Sequence, residues 1–223
     1  QPTTIAPCGP IHHSNPTVLL MGETASPMPT HGNDGKELHP SNASLLQYNE
    51  RSMWNVLSVM VGVPKHTDMI GYKLLRETAL SRGIAIWDVL SNVHNQQRNK
   101  KKQKQSNSHP NDIAKFLMEH PSIVALAFIG VRACNTFCKH FDVLGGNGDD
   151  NDHGVGGGEK RKYYSILRQE DRGDSSQRLL PLLVLPSSSA SNRRMSIHDK
   201  AKIWDEQLAP FFGAKIMKTR YKA

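Results

Sequence analysis

Residues 182–194 read LLVLPSSSASNRR, an apolar run that leads directly into a small, polar and cationic loop. The run Leu182–Leu185 is typical of a buried strand. After the loop, Ser196 and Asp199 have the spacing of a capping box, which predicts the start of a helix. An α/β protein commonly places its functional site at such a junction, so we expect the site here. The predicted apolar face of this helix consists of Ile197, Ala201, Trp204 and Leu208.

Three further apolar runs precede this strand, and amphipathic helical patterns separate them. Strands that are covered by helices on both faces read as continuous apolar runs. Because parallel strands need a crossover connection, strands that alternate with helices predict a parallel sheet covered on both faces. The runs are Thr17–Met21, Ile84–Trp87, which Asp88 closes, and Ser122–Phe128. The helical patterns begin at Met53, Met69, Asn111 and Ala133.

The length of 223 residues suits one domain, which we place at residues 17–212. Residues 1–16 are rich in Pro and His and predict a flexible N-terminal arm, and residues 213–223 form a basic C-terminal tail. Two polar or glycine-rich segments, 96–109 and 145–178, predict disordered insertions. The first contains five cationic residues between Arg98 and Lys104, which suit a solvated insertion or a phosphate-binding segment.

The chain carries 28 Lys and Arg residues against 20 Asp and Glu residues, a formal net charge of +8. This charge favours an anionic partner, most often nucleic acid. Three cysteines without a CxxC pair favour a reducing, intracellular compartment over a disulfide scaffold. No apolar run reaches the roughly 18 to 20 residues of a membrane span, so no membrane partner is predicted. The eleven histidines lack metal-ligand spacing, so neither a metal nor another cofactor is predicted.

Ligands on parallel sheets bind at the carboxyl ends of the strands, and the loops at those ends form the candidate site. Ser187–Ser189 lacks the GxSxG pattern of a nucleophile elbow, so a serine hydrolase is the weaker interpretation. Small hydroxyl side chains beside Arg193 and Arg194 instead suit a phosphate backbone or a flat polar base. The candidate loops are Gly22–Asn42, Asp88–Asn92, Ile129–Arg132 and Ser187–Arg194.

Six segments, taken together in their order and spacing, resemble the hypoxanthine/uracil-DNA glycosylase branch of the uracil-DNA glycosylase superfamily. The most specific are RGIAIWDVL at Arg82–Leu90 and LPSSSASN at Leu185–Asn192. The resemblance covers most of the chain outside the arm, the insertions and the tail. The other segments are Val18–Gly22, Met53–Leu57, Pro110–Ile113 and Ala127–Gly130.

The resemblance implies a three-layer α/β/α sandwich with a central four-stranded parallel sheet. It also implies a monomeric, monofunctional DNA glycosylase of base-excision repair. Such an enzyme flips hypoxanthine or uracil out of double-stranded or single-stranded DNA and hydrolyses its N-glycosidic bond. The chemistry needs no cofactor, because a positioned water and negative potential near the oxocarbenium-like sugar support it. The implied location is the nucleus or an organelle that contains DNA.

By position, Gly22–Ser26 resembles the family's first motif, which lines the base pocket and faces the sugar. Glu23 stands where relatives carry a smaller residue. It is either an exposed loop carboxylate or an inward one that orients water and supports the cationic sugar. Ile129 stands where relatives often have asparagine, which predicts altered base recognition. The implied base-pocket residues are Gly22, Thr24, Ala25 and Ile129, and the implied DNA-binding residues are Ser187, Ser188, Ser189, Ser191, Asn192 and Arg193.

The family's catalytic asparagine precedes a Phe-Trp pair, and direct alignment on Met53-Trp54 puts Arg51 at that position. His39-Pro40-Ser41-Asn42 resembles the family's His-Pro-x-Asn run, so Asn42 is the first candidate for this role and Asn49 is the second. The departure motivates an alternative function. The chain would then be a catalytically degenerate homologue that binds nucleic acid without releasing a base.

Overall fold

The structure is a computed structural model that describes residues 10–24, 52–66, 68–92, 108–144, 163–169, 175–189 and 194–212. In these ranges the chain forms seven strands and five α-helices. The strands are β1 (Val18–Thr24), β2 (Ile84–Asn92), β3 (Ser108–Pro110), β4 (Ala125–Ile129), β5 (Val143–Leu144), β6 (Tyr163–Gln169) and β7 (Ser175–Leu185). The helices are α1 (Met53–Val61), α2 (Met69–Ser81), α3 (Ile113–Glu119), α4 (Val131–His140) and α5 (Ile197–Leu208), and a 3-10 helix (Ala209–Phe211) follows α5.

The seven strands form one sheet in the order β3-β2-β1-β4-β7-β6-β5. The neighbours β2, β1, β4 and β7 pair in parallel. The other three strands, β3, β6 and β5, pair antiparallel with their neighbours. The α/β class predicted from the alternating pattern is confirmed. The sheet is larger than the predicted four strands, because antiparallel strands extend its parallel centre on both sides.

Strand β1 shows how the sheet separates two cores. Val18 and Leu20 pack in one core with residues of α1, α2 and α5, and Leu19 and Met21 pack in the other with residues of α3 and α4. Side chains alternate between the two faces of a strand, so one continuous apolar run supplies both cores. All four side chains are fully buried, and each burial stabilises the fold by roughly 1.5–3 kcal/mol. Helices therefore cover both faces of the sheet.

Parts of the segments predicted to be irregular have regular structure. Ile11, in the predicted flexible arm, forms an antiparallel bridge with Ile86 through hydrogen bonds of 2.9 and 2.8 Å. The predicted insertion at 145–178 contains β6 and the first residues of β7, and the one at 96–109 contains the start of β3. Strand β6 mixes Tyr and Ile with Ser, Arg and Gln, so its sequence lacks the apolar run of a covered strand.

Two predictions about single residues are wrong. Asp88 does not close its strand but lies within β2, where its side chain is buried. Its main-chain carbonyl accepts a 2.7 Å hydrogen bond from the side-chain amide of Asn111. Ile197 is 43% exposed, whereas the other predicted apolar residues of α5 are buried. Lys200, a charged residue, is buried on this helix instead.

Three further observations concern membrane-spanning helices, cysteines and side chains that could bind a metal ion. No helix in the described ranges is long and apolar enough to cross a membrane. Cys134 is buried and Cys138 is partly exposed, and neither forms a disulfide. Within the same ranges, the side chains of His, Cys, Asp and Glu form no group of three or more that could hold a metal ion.

Candidate functional site

A cavity of about 770 Å³ opens where β1, β4 and β7 end, at the carboxyl edge of the parallel centre. This volume lies in the range of pockets that hold small organic groups. Three loops that the sequence predicted to form the site contribute to it, through Glu23, Ile129 and Ser187. The other lining residues come from the turn before α4 and its first residues, from the end of β7 and the residue after it, and from α5 and the segment before it: Gly130, Val131, Arg132, Ala133, Val184, Leu185, Pro186, Met195, Ile203 and Gln207.

The turn between β4 and α4 brings two walls of the cavity together at Gly130. Its φ is +90°, a region that side chains disfavour, and its N–H donates a 2.9 Å hydrogen bond to the carbonyl of Leu185. A Cβ at this position would lie 3.2 Å from the Cβ of Ser187. Glycine is therefore required here both by the backbone and by the close approach of the β7 loop.

Glu23 points its carboxylate toward α4 at the edge of the cavity. One carboxylate oxygen lies 3.3 Å from the Nε of Arg132, and the other accepts 3.4 Å hydrogen bonds from Arg132 and from the hydroxyl of Thr136. The side chain of Glu23 is 33% exposed and that of Arg132 is 87% exposed. Glu23 is therefore not a free loop carboxylate, but its cationic partner remains in water.

Hydroxyl groups arrange the loop after β7. The Oγ of Ser187 accepts a 3.3 Å hydrogen bond from the backbone N–H of Ser189, which closes a short turn. The Oγ of Ser188 accepts a 3.2 Å hydrogen bond from the Oγ of Ser52, the residue that precedes α1. All three loop serines are half-buried. The loop is therefore fixed at its own turn and against the residue before α1, and its serines are partly exposed.

Two side chains of helix α5 donate hydrogen bonds to the same loop. Its Trp204 donates a 2.9 Å hydrogen bond from Nε1 to the carbonyl of Pro186, and its Lys200 donates a 3.0 Å hydrogen bond from Nζ to the carbonyl of Ser189. Lys200 and Trp204 lie one helical turn apart, so they reach the loop from one face of the helix. Both residues are buried.

The start of α5 is fixed by the predicted capping box. The Oγ of Ser196 accepts a 3.1 Å hydrogen bond from the N–H of Asp199, and the Asp199 carboxylate accepts a 3.2 Å hydrogen bond from the N–H of Ser196. The side-chain hydroxyl of Ser196 also donates to this carboxylate at 2.7 Å. These hydrogen bonds from Ser196 lower the pKa of Asp199, because they favour the charged carboxylate. The capping box sets the position from which Lys200 and Trp204 reach the loop.

Comparisons with known proteins find a structural likeness only. No protein-family model matches the chain, and no curated protein sequence matches it. The chain is similar to a solution NMR structure described as a "putative Uracil DNA glycosylase" from Methanosarcina acetivorans. The two share 16% sequence identity with a TM-score of 0.47, and the similarity covers 89% of this chain and 92% of the other.

The structure brings part of the predicted site together. Glu23, Ile129 and Ser187 line the cavity, Ser188 and Ser189 continue the same loop, and Gly22 directly precedes Glu23. Thr24 is the last residue of β1. The remaining predicted site residues lie outside the described residues: Asn42, Asn49, Ala25, Ser191, Asn192 and Arg193.

Two contributors to this region were not predicted as single residues. Arg132 belongs to a predicted loop, but its pairing with Glu23 follows only from the fold. Lys200 was not considered, because a lysine within an amphipathic helix pattern normally lies on the solvated face. A sequence signal for it does exist: Lys200 lies four residues before Trp204, on the same helical face.

Proposed function

We propose that this chain is a DNA glycosylase of base-excision repair that hydrolyses the N-glycosidic bond of a flipped-out deaminated base, hypoxanthine or uracil. The observation that carries the proposal is the convergence of three distant segments on one cavity. These segments contain Glu23, Ile129 and Ser187, and each lies in a stretch that resembles a motif of this superfamily. A cavity of about 770 Å³ with apolar walls and few polar groups suits a single flat base.

In the proposed reaction, water attacks C1′ of the sugar as the bond between C1′ and the base nitrogen breaks. The base leaves with the electron pair of that bond, the attacking water loses a proton, and the departing base takes up one proton, so the products are a free neutral base and an abasic site. Glu23 supplies negative potential near the cationic sugar and orients the water. Asn42 or Asn49 assists the attack. Gly22, Thr24, Ala25 and Ile129 form the base pocket.

The loop after β7 has the proposed role of contacting the DNA backbone beside the lesion. Ser187, Ser188, Ser189, Ser191 and Asn192 offer hydroxyl and amide groups to phosphate oxygens, and Arg193 adds a positive charge. The net charge of +8 favours approach to the polyanion. These contacts position the DNA, and the pocket selects the base.

The test is base release from labelled duplexes and single strands that contain one hypoxanthine, uracil or xanthine, in EDTA, with abasic sites revealed by alkali. We expect release of at least one base, with strand cleavage only after alkali. The Glu23→Gln variant should lower kcat about 100-fold, within the range for a positioned acid–base group. Glu77→Gln is the matched control, because Glu77 lies on α2 and pairs with His13, away from the cavity.

The asparagine assignment has its own test. Replacing the true catalytic asparagine with alanine should cost roughly 100- to 1,000-fold in kcat, the usual loss for one polar group that stabilises the transition state. The variants are Asn42→Ala and Asn49→Ala, measured on the substrate that the wild-type protein prefers. Unimpaired release by both variants would remove both residues from the mechanism.

One observation favours the alternative, a homologue that binds nucleic acid without releasing a base. The guanidinium of Arg132 lies 3.3 Å from Glu23 and offsets the negative potential that the sugar would need. This alternative predicts salt-sensitive DNA binding with no release from any of the deaminated substrates. A serine hydrolase gains no support here, since no histidine is among the described residues that line the cavity.

A further inference from the structure

Lys200 is a charged side chain that is buried against the loop after β7. Lys200 is 2% exposed, although it lies in the first turns of α5, where a lysine could readily reach solvent. Its Nζ instead points inward and donates a 3.0 Å hydrogen bond to the main-chain carbonyl of Ser189. This carbonyl belongs to the loop that we propose contacts the DNA backbone.

Burial of an ammonium group is costly unless other groups compensate for the lost water. Within the described part of the chain, the salt bridges with Asp or Glu involve other cations and not Lys200. A methionine would fill the same space without this desolvation cost, so packing alone does not account for a lysine at this position. The hydrogen bond to the loop is the specific interaction that a methionine would lose.

A second donor on the same helical face strengthens this interpretation. Trp204 donates to the carbonyl of Pro186 at 2.9 Å, so α5 holds the loop at both of its described ends. A main-chain carbonyl fixed at each end leaves the serines between them only a narrow range of positions. The hydrogen bond from Lys200 is the stronger of the two, because a charge-assisted hydrogen bond is roughly twice as strong as a neutral one.

We infer that Lys200 is a positioning residue for DNA binding: its ammonium group holds the Ser189 carbonyl so that the Ser187–Ser189 hydroxyls meet the phosphates in one geometry. The inference rests on the proposed function, because it assumes that this loop contacts DNA. Lys200 itself is buried and contacts no phosphate. Its effect on binding is transmitted through the loop backbone.

The first measurement is amide hydrogen exchange in the peptides that cover residues 186–194, without DNA. Lys200→Met should increase the exchange rate in these peptides about tenfold, the factor that corresponds to losing a hydrogen bond worth 1.4 kcal/mol. Lys202→Met is the matched control, because Lys202 lies on the same helix with a side chain that is 74% exposed. Equal exchange in the two variants would overturn the inference. If Lys200→Met does not fold, Lys200→Leu, which also removes the donor, replaces it with the same two outcomes.

The second measurement is DNA affinity as a function of salt concentration, with a KM and kcat comparison on the preferred substrate. A positioning role predicts about tenfold higher Kd and KM for Lys200→Met, with kcat within about threefold and an unchanged salt slope. A salt slope reduced by about one would show that Lys200 contacts a phosphate, which would overturn the positioning role. An unchanged Kd and KM would overturn it as well.

The two proposals fail in different ways. A wild-type protein that binds DNA but releases no base would refute the glycosylase proposal, and the exchange and affinity results would still decide the role of Lys200. Base release by the wild-type protein, together with a Lys200→Met variant that matches Lys202→Met in both measurements, would refute only the inference about Lys200.

Discussion

Two sides of the cavity carry polar groups, and these groups are held in opposite ways. On the loop wall, formed by the loop after β7, buried donors of α5 fix the main chain: Lys200 holds Ser189 and Trp204 holds Pro186. On the carboxylate wall, the functional group is a side chain, Glu23, and its cationic partner is 87% exposed. A hydrogen bond from a buried donor resists exchange with water, whereas an exposed ion pair is typically worth less than about 1 kcal/mol.

This difference indicates which wall is rigid and which can respond to a ligand. The loop wall is expected to keep its shape whether or not DNA is present. The carboxylate wall is expected to change partners easily, because water and phosphate both compete for the guanidinium of Arg132. Both properties suit the proposed function, in which a fixed loop contacts the DNA backbone and the carboxylate becomes available when substrate binds.

The strongest test of the loop wall is the Trp204→Ala variant. Trp204 is fully buried in the core of α1, α2 and α5, so its truncation should lower the free energy of unfolding by about 3–5 kcal/mol. Trp204→Phe keeps most of the ring volume but leaves the Pro186 carbonyl unpaired, which should cost about 1–3 kcal/mol. Urea denaturation of both variants measures these losses. A loss below about 1 kcal/mol for Trp204→Phe would contradict a rigid loop wall.

The next effect concerns Gly130, where the turn between β4 and α4 contacts Ser187 of the loop wall. Gly130→Ala should destabilise the fold by about 1–3 kcal/mol through backbone strain, and by more where its Cβ meets Ser187 at 3.2 Å. Gly62→Ala is the matched control, since Gly62 also has positive φ but has nothing within 4 Å of its Cβ position. The difference between the two variants, from urea denaturation, measures the contact together with the greater backbone strain at Gly130, whose φ of 90° and ψ of 159° restrict it to glycine more than the φ of 72° and ψ of 23° restrict Gly62. Equal losses of stability would mean that the turn at Gly130 and the loop wall do not constrain each other.

A smaller effect is expected for the carboxylate wall. The coupling free energy between Glu23 and Arg132, from a double-mutant cycle with Glu23→Gln and Arg132→Gln, should be about 0.2–1 kcal/mol. Thermal or urea denaturation of the four proteins gives this value. The coupling should decrease further at high salt, because the guanidinium is exposed. A coupling above about 2 kcal/mol would make this wall as rigid as the other one.

The smallest expected effect is a change in stability at acid pH, and it comes from the capping box of Ser196 and Asp199 at the start of α5. The pKa of Asp199 is lowered in the folded protein from its ordinary value of 3.8 by hydrogen bonds from Ser196. Its contribution to stability is therefore complete above pH 3.8 and is lost as the pH falls through the lower, folded-state pKa. The difference in stability between the wild-type protein and Asp199→Asn should therefore shrink as the pH falls from 3.8 through the folded-state pKa of Asp199. Ser196→Ala should remove most of the same pH dependence, and a difference that grows on acidification would contradict the assignment.

The parallel centre of the sheet could be predicted from sequence because its strands are covered on both faces. The run Val18–Met21 is apolar at every position, and such a run has few other interpretations once helical patterns surround it. Strand β6 could not be predicted in the same way. It lies on the antiparallel side of the sheet, where polar and charged residues are tolerated. The pairing of Ile11 with Ile86 depends on tertiary contact and has no local pattern.

The sequence predicted which segments form the candidate site, but not which residues contact one another there. The rule that ligands bind at strand carboxyl ends identified the loops that contain Glu23, Ile129 and Ser187, and these loops do meet. That Arg132 pairs with Glu23 depends on the angle at which α4 leaves the turn at Gly130. The inward direction of Lys200 depends on where the Ser189 carbonyl lies. Neither angle nor carbonyl position is encoded in a local residue pattern.

The position of β1 at the centre of the sheet also has a consequence for how the chain folds. β1 pairs with β2 and β4, and the partner of Val18 in β4 is Ala125, about one hundred residues further along the chain. A fold built on such distant pairings is slow to form, because the entropy of closing long loops is lost before the contacts are gained. During synthesis the apolar segment Val18–Met21 therefore leaves the ribosome long before both of its neighbours exist. We expect this segment to be a binding site for chaperones on the nascent chain.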